Sequence, residues 1–386
     1  MRRHITRREF LNRAAMTAAV TVPAAALLRG DRAFARGAGR GAALDTAAAN
    51  RLIQAFMTKY SVPGMSIAMA KDAKMIHTQG FGVAARSTAE RVTPDHLFRI
   101  ASVSKPFTSA TIFSLIEQGK LRLGDRIFGR DAILGVEFGA PPYKQPRVAD
   151  ITLEHLLTHT AGGWQNDGSD PMFSHPRMDH RELITWTIAN QPLVNAPGSH
   201  YAYSNFGYCV AGRVIEKITG KPYGTAVREL ILQRCGITTM RIAGNTLAER
   251  APHEVVYYGQ GNENPYGMQV ARMDSHGGWL ATPTDLVRFL LRVDGFATEA
   301  DILTAASIAT MTTASAANAG YAKGWAVNAA HNWWHNGSLP GTMTIMVRTS
   351  DGYCWAALTN TRSTSSTMGG DLDRLMWDVR AALAGG

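Results

Sequence analysis

Strand-like segments lie near both ends of this chain, and helical periodicity dominates the sequence between them. Residues 65–70 and 75–80 form two apolar runs around a polar turn, and residues 343–349 and 353–359 form a second pair. Residues from about 102 to 310 have mainly helix-like spacing, broken by loops rich in Gly and Pro. The pattern predicts an α+β fold, an α/β sandwich. Its antiparallel sheet is formed by the N- and C-terminal segments and flanked by helices, with a mainly helical region inserted.

The first motif in the inserted region is a Ser-x-x-Lys sequence formed by Ser102 and Lys105. A short apolar run precedes it and a helical pattern follows, so Ser102 is predicted at or near a helix N-terminus, with Lys105 on the same face. A serine hydroxyl needs a base, and burial lowers the pKa of a lysine so that its amine can act as one. Pro106 is compatible with this arrangement only if it falls in the first helical turn.

The second motif is Tyr203-Ser204-Asn205, between a Pro-Gly turn and another helical pattern. A tyrosine beside a lysine cation has its phenolate favoured, so Tyr203 could share or carry the role of general base. Asn205 has an amide that can donate and accept hydrogen bonds with a substrate. A solvated turn is the alternative interpretation of this motif alone.

The third motif, His335-Asn336-Gly337, precedes a strand-like run. Gly337 would permit close approach of the backbone to a ligand, while His335 alone could equally be a hydrogen-bonded structural histidine. Each motif occurs by chance in a chain of this length. Their order and local context together indicate a nucleophile, its activating groups and an oxyanion site.

Longer segments around these motifs resemble one family. Residues 98–105 resemble its nucleophile segment, residues 151–163 its helix-to-loop signature, and residues 215–220 and 277–279 further landmarks. The chain is similar over nearly its whole length after the N-terminal leader to the β-lactamase-related serine hydrolases. These include class C β-lactamases, D,D-peptidases, family VIII carboxylesterases and D-amino-acid amidases.

The resemblance implies the same architecture, with the site in the groove between the sheet and the helical region. It implies that Ser102 is acylated, that Lys105 and Tyr203 activate it, and that the backbone N–H groups of Ser102 and Ser338 form the oxyanion hole. The residues expected to bind substrate are Asn205, His335, Gly337, Trp164 and Gln165.

One departure bears on the substrate. Class C β-lactamases usually have Lys-Thr-Gly at the third motif, where this chain has His335 and Gly337. We therefore expect an exported serine hydrolase that cleaves an ester or an amide, possibly in a D-amino-acid peptide, through an acyl-enzyme on Ser102. The alternatives are a class C-like β-lactamase and a non-catalytic peptidoglycan- or penicillin-binding domain. The chain has no Gly-x-Ser-x-Gly nucleophile elbow.

A metal-dependent hydrolase is a further hypothesis, because His155 and His159 stand four residues apart on a predicted helix. No glutamate follows the first histidine in the His-Glu-x-x-His manner, and the sequence offers no obvious third ligand. We expect no metal and no cofactor.

The N-terminus indicates export. Arg7 and Arg8 form a twin-arginine pair, an apolar stretch follows, and residues 33–35 offer an Ala-x-Ala cleavage site. We predict a signal peptide at 1–35, a flexible lead at 36–44 and a hydrolase domain at 45–386. The expected location is periplasmic or extracellular, with the twin-arginine machinery as partner and no stable membrane anchor.

The charge distribution and the cysteine content argue against a nucleic-acid-binding protein and against a disulfide-rich fold. Residues 1–35 carry seven arginines and two acidic residues, so without them the formal charge falls from +10 to +5. No basic cluster indicates nucleic acid as a partner. The odd number of three widely spaced cysteines argues against a disulfide framework, and Cys209 is expected to be a buried thiol.

Overall fold

The computed structural model describes residues 45–384. Within that range, seven strands form one antiparallel sheet in the order β3-β2-β1-β10-β9-β8-β7, and a three-stranded sheet has the order β4-β6-β5. The strands are β1 Gly64–Lys71, β2 Lys74–Ala85, β3 Glu90–Arg91, β4 Phe98–Arg99, β5 Arg241–Ile242, β6 Trp279–Ala281, β7 Ala326–Val327, β8 Trp333–Leu339, β9 Thr342–Arg348 and β10 Tyr353–Thr359.

Helices occupy most of the region between β2 and β7 and also flank the large sheet. The helices are α1 Thr46–Lys59, α2 Ser104–Glu117, α3 Leu153–Leu157, α4 Pro171–Ser174, α5 His180–Asn190, α6 Asn205–Thr219, α7 Tyr223–Val227, α8 Asp274–Gly277, α9 Pro283–Leu291, α10 Ala305–Thr312 and α11 Met368–Ala384. The predicted fold class is confirmed.

The two ends of the described chain meet in the middle of the large sheet, where Met65 on β1 pairs with Thr359 on β10. Both faces of the sheet are buried, because side chains alternate across a strand. Met65, Ile67 and Met69 pack in the apolar cluster that includes α1 and α11, while Ala68 belongs to the core shared with the helical region.

The third motif lies in a different element from the one predicted. His335 and Gly337 were expected just before a strand, but they belong to β8, which pairs with β9 along its whole length. The central region also contains the small sheet of β4, β5 and β6 among its helices.

The predicted signal peptide and flexible lead lie outside the described residues. Within the range that the structure covers, no helix is both long and apolar enough to cross a bilayer. Cys209, Cys235 and Cys354 are all buried, and none of the three is in a disulfide.

Candidate active site

Ser102 lies on a 3₁₀ turn, Ala101–Val103, that leads directly into α2. Ala101 has a φ of +48°, a conformation that non-glycine residues adopt at an energetic cost and that is concentrated at functional sites. The Ser104 hydroxyl donates to the Ala101 carbonyl at 2.7 Å and supports this turn. Pro106 is the third residue of α2, in its first turn, where a proline does not break the helix. The tight turn therefore places Ser102 at the start of a buried helix.

Lys105 lies beside Ser102 and is completely buried. Its Nζ is 3.1 Å from the Ser102 Oγ, 2.9 Å from the Asn205 Oδ1 and 2.9 Å from the His276 carbonyl oxygen. Burial lowers the pKa of Lys105 well below its usual range, and the charge of Asp170 opposes that shift only in part. The neutral amine that a general base requires is therefore favoured beside the serine hydroxyl.

Tyr203 lies just before α6, with its ring under the Lys105 amine at 4.8 Å from Nζ to the ring centroid. We expected its phenolate to be favoured, and the structure indicates the opposite. Burial raises the pKa of Tyr203 well above its usual range, and its hydrogen bond with Ser102 opposes the shift only in part. A neutral phenol can accept one proton while donating another, so this residue is suited to relaying a proton.

Asn205 is the first residue of α6, whose start is capped by the Ser204 hydroxyl. Its Oδ1 accepts from Lys105 and its Nδ2 donates to Asp170 at 3.0 Å. Asn205 also lines the pocket beside Ser102. The amide that we expected to bind substrate is thus hydrogen-bonded to Lys105 and to a buried carboxyl group within the protein.

His335 is buried in β8, and both of its ring nitrogens have partners within the protein. Nδ1 lies 2.7 Å from the Asn336 carbonyl oxygen, and Nε2 lies 3.1 Å from the Tyr321 hydroxyl. Burial, together with the charge of Lys105, lowers the pKa of His335 to about 3. The imidazole is neutral at neutral pH, and these contacts give it a structural role in place of the expected contact with substrate.

Gly337 lets β8 lie close to the 3₁₀ turn that carries Ser102, Ala101–Val103 (the nucleophile turn). A Cβ at this position would lie 2.3 Å from the Ile100 carbonyl oxygen and 3.0 Å from the Ala101 Cβ. We expected this glycine to let the backbone approach a ligand, and in the structure it lets β8 approach the nucleophile turn of the protein itself. A two-residue turn joins Leu339 to Thr342, so these two residues form a hydrogen-bonded pair of the β8–β9 ladder. Hydrogen-bonded and non-hydrogen-bonded pairs alternate along such a ladder, so the N–H of the preceding residue, Ser338, points away from β9. Ser338 and Ser102 both line the same pocket, which is the placement an oxyanion hole needs.

We expect Gly337→Ala to lower kcat by about 100-fold, because the added methyl must push β8 away from the nucleophile turn. Overpacking at this contact should also lower the free energy of unfolding by about 1–3 kcal/mol. Steady-state kinetics and thermal unfolding would measure both. Gly370→Ala is the matched control, since a Cβ there meets nothing within 4 Å. An undiminished kcat in Gly337→Ala would contradict this account of the glycine.

Trp164 and Gln165 do not border the pocket beside Ser102. Trp164 has a φ of +60°, and its buried indole donates to the Gln191 carbonyl at 3.2 Å. Both residues line a neighbouring hollow. The residues of the same loop that line the pocket beside Ser102 are Asn166, Asp167 and Gly168. The first two residues of the loop, Trp164 and Gln165, line the neighbouring hollow instead.

The pocket beside Ser102 has a volume of about 250 Å³, and seven of the twenty residues that line it are apolar residues that belong to none of the three motifs. These apolar residues are Met172, Phe173, Pro176, Met268, Met273, Leu339 and Pro340. They lie in segments far apart in the sequence and carry no motif of their own. The wall indicates that part of the substrate is apolar.

Two arginines border the pocket, and both have partners within the protein. Arg362 is paired with Glu263, and its guanidinium also donates to the Ser338 Oγ at 3.2 Å. The Arg272 guanidinium donates to the main-chain carbonyls of Met172, His175 and Met178. These contacts hold the pocket wall in place and occupy much of the hydrogen-bonding capacity of the two cations.

His155 and His159, the pair considered for a metal, have other surroundings. His155 forms a capping box with Thr152 at the start of α3. His159 is buried among four tyrosine rings, and its Nδ1 accepts from the Ser204 N–H at 3.0 Å. Within residues 45–384, no group of three or more His, Cys, Asp or Glu side chains is arranged to hold a metal ion.

Comparisons with known proteins agree with this geometry. The family model described as Beta-lactamase matches residues 49–376. Esterase EstB of Burkholderia gladioli is 31% identical over 228 residues, so the match spans about half of that esterase, 54% of each chain. Penicillin-binding protein 4 of Amycolatopsis lactamdurans is 27% identical over 327 residues, 79% of this chain and 83% of that protein. The D-amino acid amidase of Ochrobactrum anthropi SV3 has the same fold, with a TM-score of 0.70 at 23% identity over 87% of this chain and all of the amidase.

Proposed function

Because the chain belongs to the β-lactamase family of serine hydrolases, we propose that it cleaves an ester or an amide through an acyl-enzyme on Ser102. The observation that carries this proposal is the distance of 3.1 Å between the Ser102 Oγ and the buried Lys105 Nζ. Burial lowers the pKa of Lys105 and so favours the neutral amine, the form that can act as a base. In this proposal Lys105 is the proton acceptor and Tyr203 is the relay.

The reaction would follow in two halves. The Lys105 amine takes the proton of the Ser102 hydroxyl as the Ser102 Oγ attacks the substrate carbonyl. The N–H groups of Ser102 and Ser338 stabilise the negative charge that develops on the carbonyl oxygen. The proton passes from Lys105 through Tyr203 to the leaving alcohol or amine, and the acyl group stays on Ser102. A water molecule then attacks the acyl-enzyme. It transfers its proton by the reverse route, which releases the acid and restores the serine.

The apolar wall supports an uncharged, apolar acyl group as the substrate portion beside Ser102. The two arginines bordering this space support the same preference, because Arg362 is paired with Glu263 and Arg272 donates to main-chain carbonyls. Penicillins and cephalosporins carry a carboxylate, and moving an ion into apolar surroundings without a partner costs several kcal/mol. We therefore favour ester or amide hydrolysis over β-lactam hydrolysis.

We expect kcat/KM for p-nitrophenyl hexanoate to exceed that for nitrocefin by about 100-fold or more, because the nitrocefin carboxylate would be poorly paired in the pocket. Steady-state kinetics on the purified protein would measure both. Met268→Ala should move the preferred acyl chain to greater length, since it enlarges the wall. A preference for nitrocefin would indicate a β-lactamase instead, and acylation by penicillin without turnover of any ester would indicate a penicillin-binding domain.

We also propose export by the twin-arginine route, on the basis of the N-terminal sequence. Replacing both Arg7 and Arg8 by lysine should retain the protein in the cytoplasm, because the export machinery recognises the arginine pair. Fractionation of cells and immunoblotting would locate the protein, with replacement of Arg29 by lysine as the control. Unchanged export of the double variant would indicate another route.

A further inference from the structure

Asp170 has a buried carboxyl group that is linked to Ser102 by three successive hydrogen bonds, through Asn205 and Lys105. Its exposed fraction is 0%. One carboxyl oxygen accepts from the Met172 N–H at 2.9 Å, and the other accepts from the Asn205 Nδ2 at 3.0 Å. Capping the four-residue helix α4 explains the first contact. It does not explain why a carboxylate lies beside the amide that contacts the catalytic lysine.

The chemistry of the two neighbours determines how the Asn205 amide is oriented. An ionised Asp170 can only accept hydrogen bonds, and a protonated Lys105 can only donate them. The observed arrangement, with NH₂ toward the acid and oxygen toward the amine, satisfies both at once. A flipped amide would place an oxygen against the carboxylate and an NH₂ group against the ammonium. Asp170 therefore fixes which end of the amide faces Lys105.

We propose that Asp170 is a positioning residue for the hydrolysis, which orients Asn205 and, through it, holds the Lys105 amine against Ser102 and stabilises its protonated form. This inference rests on the proposed function, in which Lys105 accepts the serine proton. When that proton arrives, the ammonium gains the Asn205 Oδ1 as an acceptor and a carboxylate beyond it. Asp170 acts on Lys105 only through its charge and through the amide that it orients, and no proton moves to Asp170.

Asp170 is the group whose negative charge raises the pKa of Lys105 against the effect of burial. Burial raises the pKa of Asp170 to about 7, so it is ionised above that pH. The remaining polar or titratable groups near Lys105, from the elements packed against it, are Ser102, Tyr203, Tyr208, His159, His276 and His335. Burial lowers the pKa of all three histidines, which keeps them neutral.

The test compares Asp170→Asn with Asp170→Ala in the full-length protein. Asparagine keeps the shape of the side chain and one acceptor oxygen, which can still cap α4, so Asp170→Asn loses the acceptor for Asn205 together with the negative charge. Loss of this charge destabilises the Lys105 ammonium, so the acidic limb of the kcat/KM profile for p-nitrophenyl hexanoate should move to lower pH. Asp170→Ala removes both acceptors and leaves a space beside Asn205, and it should lower kcat by about 100-fold. The kcat of Asp170→Asn should lie between wild type and the alanine variant.

Asp150→Asn is the matched control, since Asp150 is exposed and paired only loosely with Arg126 at 3.9 Å. A folded Asp170→Asn with a wild-type profile would overturn the proposal, as would lower activity with an unmoved acidic limb, which is the mark of a merely structural role. If Asp170→Ala does not fold, Asp170→Asn still decides the question. Failure of the proposed function is distinguishable, because the wild type would then lack esterase activity that depends on Ser102.

Discussion

Ser102→Ala is expected to abolish turnover, with kcat falling by about 10⁶-fold, because no other group can then form the acyl-enzyme. Covalent labelling by a fluorophosphonate should disappear with it. The expectation rests on the strained turn at Ala101 and on the Lys105 amine 3.1 Å from the hydroxyl. Intact-protein and peptide mass spectrometry would show whether the label is present and which residue carries it.

Ser109→Ala provides the matched control for that experiment. Ser109 lies on α2, the helix that follows the turn carrying Ser102, is completely buried, and donates to the Lys323 carbonyl at 2.6 Å. Its removal should cost about 1–3 kcal/mol of stability, because a buried carbonyl loses its donor, while labelling of Ser102 continues. A label found on another residue, with Ser102→Ala still active, would refute the assignment of the nucleophile.

Replacing Lys105 by methionine or Tyr203 by phenylalanine is expected to lower kcat by about 10²–10⁴-fold each. Methionine fills most of the lysine volume without offering an amine, and phenylalanine removes only the hydroxyl. The double variant should lose little more than Lys105→Met alone, since a relay cannot act without its base. Single-turnover measurements of acylation would isolate the affected step.

Tyr208→Phe gives the comparison for Tyr203→Phe, because its ring also lies near the Lys105 amine, at 5.6 Å. Its hydroxyl donates to the Leu157 carbonyl at 2.8 Å, away from Ser102. This variant should therefore lose far less activity than Tyr203→Phe. Losses in Lys105→Met and Tyr203→Phe that simply multiply would mean that the two residues do not share one proton path.

The fold was largely predictable because its signals are local. The paired strands near both ends have regular apolar periodicity, and their observed bounds lie within a few residues of those expected, apart from the longer β2. Strand β8 was missed because its buried positions include His335 and Gly337, which are not typical of a strand core. Those two residues serve the packing of β8 against the nucleophile turn and the tyrosines, which no local pattern reveals.

The site was predictable only where its residues are close in sequence or lie in a recognisable motif. Ser102 and Lys105 share one helix start, so spacing alone places them together. Asp170 lies in a short polar loop whose sequence is typical of a turn, and its contact with Asn205 spans 35 residues. The placement of Trp164 in the neighbouring hollow could not be predicted, because the direction of its side chain depends on a positive φ that the sequence does not specify.

The pairing of β1 with β10 has a consequence for biosynthesis. Met65 leaves the ribosome long before its partner Thr359, which is made after Ser338. Until Thr359 is made, the edge of the hairpin formed by β1 and β2 has no native partner, and such edges are prone to aggregation. Ser102 and Lys105 are likewise made long before β8, the strand that carries Ser338. A chain released before β8 is made would therefore contain Ser102 and Lys105 without the second N–H group of the proposed oxyanion hole.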